Sequence, residues 1–310
     1  MSAPALKCDN LSRWYGEVQG LAGLTVTIDK GIIGLLGPNG SGKSTLMRLL
    51  TGQIHASRGW VEVLGERIEP GKYEIFRRVG YAPGEDVHFE SERAIDFLKL
   101  MARIGGDSAA QATSRAEKAL VEVGMQAKAG VRLNAMSKGM RQRIKIAQAI
   151  LFEPELLLLD EPLNGMDPIS RRKTLDLVRN MAAKDKTVIL ASHVLHEVEG
   201  VTDHMLLLHH GRLLAEGRLS EIRELIDQKP RRATVRGTGL SQLGASLLAD
   251  DLVSGLEFVN EGCIHLDTRN LPELLVRLQI AGAEGSIDSL ETDDQELEMI
   301  YEMLVGGSAR

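Results

Sequence analysis

The chain is 310 residues long, 43% hydrophobic and 26% charged, enough to bury a core and to form one large or two smaller domains. A formal net charge of −6 and an aromatic content of 4% speak against a nucleic-acid surface, which needs clustered cations and stacking platforms. No apolar run reaches the ~20 residues that span a bilayer, and the N-terminus lacks a basic segment followed by an apolar one, so a soluble chain without a signal peptide is expected. Cys8 and Cys263 lie far apart in sequence and in no C-x-x-C spacing, which predicts free thiols in a reducing compartment.

In chain order, apolar runs predict strands at Leu24–Ile28 and Ile32–Leu36, then a helix at Lys43–Thr51. Between the second strand and that helix stands Gly37-Pro-Asn-Gly-Ser-Gly-Lys43-Ser44-Thr45, which fits G-x-x-x-x-G-K-[ST]. Its glycines let successive N–H groups curl around an anion, and the helix N-terminus adds partial positive charge. Lys43 would reach the β- and γ-phosphates of a nucleotide, and the Ser44 hydroxyl would hold Mg²⁺. Strands follow at Trp60–Val63 and Val79–Ala82, then helices at Ser91–Arg103, Ala109–Val123 and Lys138–Leu151. Two consecutive helices break the strand–helix alternation and suggest a helical insertion, about residues 85–150.

The run Leu156–Leu159 predicts a buried strand ending in two acids, Asp160 and Glu161. Behind a phosphate loop, the first would hold Mg²⁺ and the second would orient an attacking water. A helix at Pro168–Ala183, a strand at Val188–Ala191, a short helix at Leu195–Glu199, strands at Met205–Leu208 and Arg212–Ala215 and a helix at Leu219–Asp227 complete an α/β unit. His193, just past a strand end, is placed to donate to a γ-phosphate. The chain is dotted with further histidines (His196, His204, His209, His210), but His193-x-x-His196 and His209-His210 have no cysteine or acidic constellation around them at zinc spacing. Tyr15 reads equally as a strand-end aromatic or a base platform.

The basic, proline-containing segment Lys229–Arg232 marks a break. Beyond it come a strand at Thr234–Arg236, a helix at Ser241–Ala249, strands at Gly255–Val259 and Ile264–Asp267, a helix at Leu271–Ala281 and a strand at Ser286–Leu290. That β-α-β-β-α-β order is the order of a ferredoxin-like fold, with a terminal helix expected at Glu296–Leu304.

From Leu6 to Leu225 the chain resembles the ATP-binding subunit of ATP-binding-cassette (ABC) transporters, a P-loop NTPase cassette. Several motifs stand in family order. Tyr15 matches the aromatic that stacks on adenine, and Gly37–Thr45 is the Walker A loop, contacting nucleotide through Gly37, Asn39, Gly40, Ser41, Gly42, Lys43, Ser44 and Thr45. Met136–Met140 resembles the signature usually written LSGGQ, with Ser137 and Gly139 retained. Asp160 matches the Walker B aspartate, Glu161 the catalytic glutamate, Leu163–Asp167 the D-loop with its Asp167, and His193 the switch histidine.

Two departures stand out. Lys138 and Met140 replace a glycine and the glutamine of the signature, giving a run similar to that of ABC-2 type exporters. Bottom-up, Ser137 would cap a helix whose N-terminus, with the charge of Lys138, faces an anion; a capped amphipathic helix with a basic outer face fits the segment equally. At the Q-loop, the family's glutamine or glutamate falls at Gly84, with Glu85 or Asp86 as substitutes if the loop shifts.

The resemblance implies ATP and Mg²⁺ as cofactors, hydrolysis of ATP and a cassette spanning 1–228 with an accessory domain at 229–310. It also implies a homodimer, or a pair with a homologous cassette, in which the signature of one copy faces the Walker A loop of the other. A separate multi-spanning membrane permease would hold the cytoplasmic chain at the membrane face, with no nucleic acid as partner. A non-transport or regulatory ABC ATPase is the competing reading.

Overall fold

A computed structural model of the chain describes residues 4–85, 89, 91–221, 231–283 and 286–292, divided into two units, Met1–Leu219 and Ser220–Arg310. The first unit runs β1 (Leu6–Tyr15), β2 (Val18–Ile28), β3 (Ile32–Leu36), α1 (Lys43–Leu50), β4 (Arg58–Val63), β5 (Glu66–Arg67), β6 (Val79–Ala82), α2 (Ala94–Ile104), α3 (Ala109–Glu122), α4 (Lys138–Ile150), β7 (Leu156–Asp160), α5 (Pro168–Ala182), β8 (Thr187–Ser192), α6 (Leu195–Glu199), β9 (His204–His209) and β10 (Arg212–Arg218).

Its strands form a four-stranded antiparallel sheet, β2-β1-β4-β5, and a six-stranded sheet, β10-β9-β3-β8-β7-β6. In the second sheet β9, β3, β8, β7 and β6 are mutually parallel and β10 closes one edge antiparallel. Parallel strands covered on both faces read as unbroken apolar runs, which is why Leu156–Leu159 and Val188–Ala191 are buried throughout. The register matters for function. Leu36 pairs with Ser192 and Asp160 with Ala191, so β3, β7 and β8 end at one level. The segments that follow them open on a common rim, where open α/β sheets bind ligands.

Helix α1 buries Leu46, Met47, Leu49 and Leu50 in a core shared with both sheets. The helical segment between β6 and β7 packs α2 on α3, and α4 lies against β6 and β7. The approach of α4 to β6 depends on Gly80: a Cβ there would stand 2.2 Å from the Ala149 carbonyl oxygen. Among the described residues no helix is long and apolar enough to cross a membrane.

Several elements differ from expectation. β1 lacks a clean period of two because its pairing with β2 shifts register three times between Cys8 and Trp14. β2 starts at Val18 rather than Leu24, and β5 is a two-residue strand. The helix expected from Ser91 begins at Ala94. Both cysteines are free and buried; Cys8, between β2 and β4, has its thiol pushed up to about 12 by burial.

The second unit runs β11 (Arg231–Gly237), α7 (Leu240–Ala249), β12 (Gly255–Asn260), β13 (Cys263–Thr268), α8 (Leu271–Ala283) and β14 (Ile287–Thr292). The sheet is antiparallel in the order β12-β13-β11-β14, with Ala233, Val235, Ile264 and Leu266 meeting Leu240, Leu247, Leu274 and Leu278 of the two helices. This is the β-α-β-β-α-β succession. The expected helix at Glu296–Leu304, most of that at Leu219–Asp227, and Asp86 lie outside the described residues.

Replacing Gly80 by alanine forces α4 away from β6. The expected cost is about 1–3 kcal/mol, seen as a fall of several degrees in the melting temperature. An unchanged melting curve would show that the seam yields freely.

Candidate functional site

The loop after β3 closes on itself through the Ser41 N–H to Pro38 carbonyl bond. Gly42 precedes α1 at φ 106°, a conformation open to glycine, and turns the first N–H groups of α1 outward. The β9–β10 turn braces the loop: the Gly211 N–H donates to the Ser41 carbonyl, and the Ala22 N–H donates to the Gly211 carbonyl. Between this loop and the end of β7 lies a cleft of 190 Å³ whose lining includes Gly40, Lys43, Ser44, Thr45, Asp160 and Glu161.

Lys43 is buried at 6% exposure, and its ammonium donates to the Gly37 carbonyl at 2.6 Å and the Pro38 carbonyl at 3.2 Å. It also lies 3.5 Å from Glu161 Oε1. The other Glu161 oxygen, Oε2, is 2.8 Å from His193 Nδ1. Lysine from the start of α1 and glutamate and histidine from just past the ends of β7 and β8 thus meet along the rim.

The Glu161 backbone is held at φ 49°, the left-handed region. Strain of this kind persists only where surroundings fix it. Here the Glu161 N–H donates to the Ala191 carbonyl at 3.0 Å, and Gln142 Nε2 of α4 donates to the Glu161 carbonyl at 3.1 Å. Asp160 is 3% exposed, and burial raises its carboxyl above the ordinary range against a hydrogen bond from Ser44 and the charge of Lys43. Asp160 Oδ1, Glu161 Oε1 and Ser41 Oγ are buried without hydrogen-bond partners. Asp160, with Oδ1 unpartnered and the Ser44 hydroxyl bonded to the same carboxyl, forms a hard-oxygen donor set, which fits Mg²⁺.

His193 is positioned by its neighbours. Ser192 Oγ accepts from the Val194 N–H and donates to Glu197 Oε2, and buried Glu197 faces Arg171 at 3.5 Å. Tyr15 lies at the end of β1, with the Arg13 guanidinium 5.1 Å from its ring centroid. A Cβ at Gly20 would be 2.9 Å from the Tyr15 ring and 3.1 Å from Thr45 Oγ1, so the ring stands beside the start of α1.

Ser137, Gly139 and Asp167 are not among the residues lining the cleft. Ser137 caps α4 by accepting from the Met140 N–H. Asp167 caps α5 by accepting from the Ser170 N–H and hydroxyl, which hold its carboxyl below the usual range. Gly139 packs on the Gly165 carbonyl, where a Cβ would be at 3.1 Å. Lys138 does not stand free before the helix: its ammonium donates to Asn164 Oδ1 at 3.2 Å, and its stem crosses Gly165. Residues 137–140 and 163–167 are therefore one joined surface. At Gly84 no side chain enters the site, and Glu85 Oε1 pairs with Arg48 at 2.7 Å.

Sequence reasoning missed Gln142, Lys145, Glu197 and Gly211. Gln142 and Lys145 had a signal, since they are polar residues on the otherwise apolar buried face of α4. Among the described residues no group of three or more His, Cys, Asp or Glu is placed to hold a metal ion by itself.

A family model described as "ABC transporter" matches residues 21–164. The bacitracin transport ATP-binding protein of Bacillus licheniformis is 36% identical over 213 residues, 68% of this chain and 69% of that protein. The Nod factor export ATP-binding protein of Ralstonia nicotianae is 32% identical over 222 residues, 71% of this chain and 69% of that protein. A solved ATP-binding subunit of an ABC transporter superposes with a TM-score of 0.65 at 30% identity, covering 79% of this chain and 99% of that one. The rim that gathers Lys43, Glu161 and His193 is thus carried on a cassette shared across its length, and the chain belongs to the ABC transporter family as an ATP-binding subunit that hydrolyses ATP.

Proposed function

We propose that residues 1–228 form the ATP-hydrolysing cassette that powers a separate, multi-spanning permease of the ABC-2 export type, with 229–310 as an accessory domain. Among the relatives, the Nod factor export ATP-binding protein supports the direction of transport. The permease would select the cargo and hold this chain at the cytoplasmic face of the membrane. The observation that carries the reading is the Lys43–Glu161–His193 line, from the start of α1 to the ends of β7 and β8.

In this reading the loop N–H groups from Asn39 to Thr45 cradle the phosphates, with Gly37 supplying the tight turn and Tyr15 facing the adenine. Lys43 exchanges its two backbone carbonyls for β- and γ-phosphate oxygens. Ser44 and Asp160 would hold Mg²⁺, which neutralises charge on the triphosphate. Glu161 Oε1, buried and without a hydrogen-bond partner, accepts the proton of the attacking water. His193 donates from Nδ1 to Oε2 and keeps the carboxylate oriented, and in its imidazolium form it also donates from Nε2 toward the γ-phosphate.

The separation of Ser137, Gly139 and Asp167 from the cleft supports a two-copy site. A helix N-terminus that lies outside the lining of its own chain's cleft is suited to the triphosphate held by a second copy. ATP then favours the closed pair, and hydrolysis releases it.

Glu161→Gln is expected to lower kcat by about 10²–10⁴ while ATP affinity is retained. With ATP bound, that variant should sediment as a dimer, and a species that stays monomeric at saturating ATP sinks the two-copy reading. Lys43→Ala is expected to weaken ATP binding about 10- to 100-fold, read by fluorescence titration. Native affinity in that variant would refute the phosphate-loop assignment.

A further inference from the structure

Helix α4 carries a lysine in its buried face. Lys145 is 0% exposed. Taking an ammonium out of water costs several kcal/mol unless its donors are satisfied. Here the ammonium donates to the carbonyls of Pro83 at 2.9 Å, Gly84 at 3.3 Å and Glu85 at 2.8 Å. Three consecutive carbonyls converging on one buried cation is a built arrangement, since an ammonium offers three N–H donors.

The loop it holds lies against the nucleotide cleft. A Cβ at Gly84 would stand 3.4 Å from the Asp160 carbonyl oxygen and 3.7 Å from Asp160 Oδ2, so the loop backbone forms the wall beside the Walker B carboxylate. The same loop is tied to α1 through Glu85 and Arg48. One turn earlier on α4, Gln142 holds the Glu161 carbonyl. One face of the signature helix thus grips the backbone on both sides of Asp160.

We infer that Lys145 is a positioning residue for hydrolysis, clamping residues 83–85 as the wall of the metal-binding side of the cleft and transmitting movement of the signature helix to it. Gly84 contributes no side chain there, so the loop acts through its backbone position, and Lys145 sets that position. This rests on the proposed roles of Asp160 and Glu161. It differs from a packing role in what it changes. A residue that merely fills space alters stability and all ligand binding together, whereas this clamp alters the Mg²⁺-dependent step and the local opening of one loop.

The test compares the full-length chain with Lys145→Met, which keeps volume and removes the donors, and Lys145→Gln, which keeps some of them. Metal-free ATP affinity, the Mg²⁺ dependence of ATP hydrolysis, and amide hydrogen exchange of the segment 80–85 without nucleotide are measured. Lys145→Met is expected to speed exchange in that segment, raise the half-saturating Mg²⁺ concentration and lower kcat about 10- to 100-fold, with metal-free ATP affinity within about twofold of native. Lys145→Gln should fall between, and it carries the test if the methionine variant does not fold. Native exchange and native Mg²⁺ dependence in a folded variant would overturn the inference, as would parallel loss of metal-free ATP binding. A native chain that hydrolyses no ATP would instead count against the proposed function, independently of Lys145.

Discussion

A cation buried at the carboxyl end of a covered parallel sheet governs the rest of the site. Lys43 lies inside the protein, so its charge must be answered by whatever surrounds it. The Gly37 and Pro38 carbonyls and Glu161 do this. The requirement explains the curl of the loop, the left-handed backbone at Glu161 and the hydrogen bonds from β8 and α4 that keep it there. A triphosphate, with its higher negative charge, would answer the same cation more fully.

Much of this was legible in the sequence because it rests on local rules. The phosphate loop needs glycine at fixed positions, and Gly42 shows why, with a backbone conformation strained for other residues. The Leu156–Leu159 run announced a strand buried on both faces. What escaped notice depends on contacts distant in sequence. β1 was hidden because its register shifts against β2 scramble the alternation of buried and exposed side chains. Lys145 reaches carbonyls some 60 residues earlier, and nothing local to α4 says where they will be. Lys138 was expected to offer its charge to an anion, but an acceptor on Asn164 and the open space over Gly165 draw the side chain across the D-loop.

Helix α4 unites these observations. Its N-terminus carries the capped signature, its middle grips the Glu161 and Gly84 loops, and its flank rests on β6 where Gly80 permits close approach. A rigid rod touching all three cannot shift at one end without straining the others, because packed interiors move between discrete arrangements rather than deforming smoothly. The second unit has its own core and a sheet with β11 in its interior.

The deep placement of Cys8 gives the molecule a native reporter. A thiol whose ionisation is pushed up to about 12, between β2 and β4, presents almost no thiolate to an alkylating reagent at neutral pH. Its modification therefore waits on separation of those strands, and the labelling rate becomes a clock for rare opening of the antiparallel sheet.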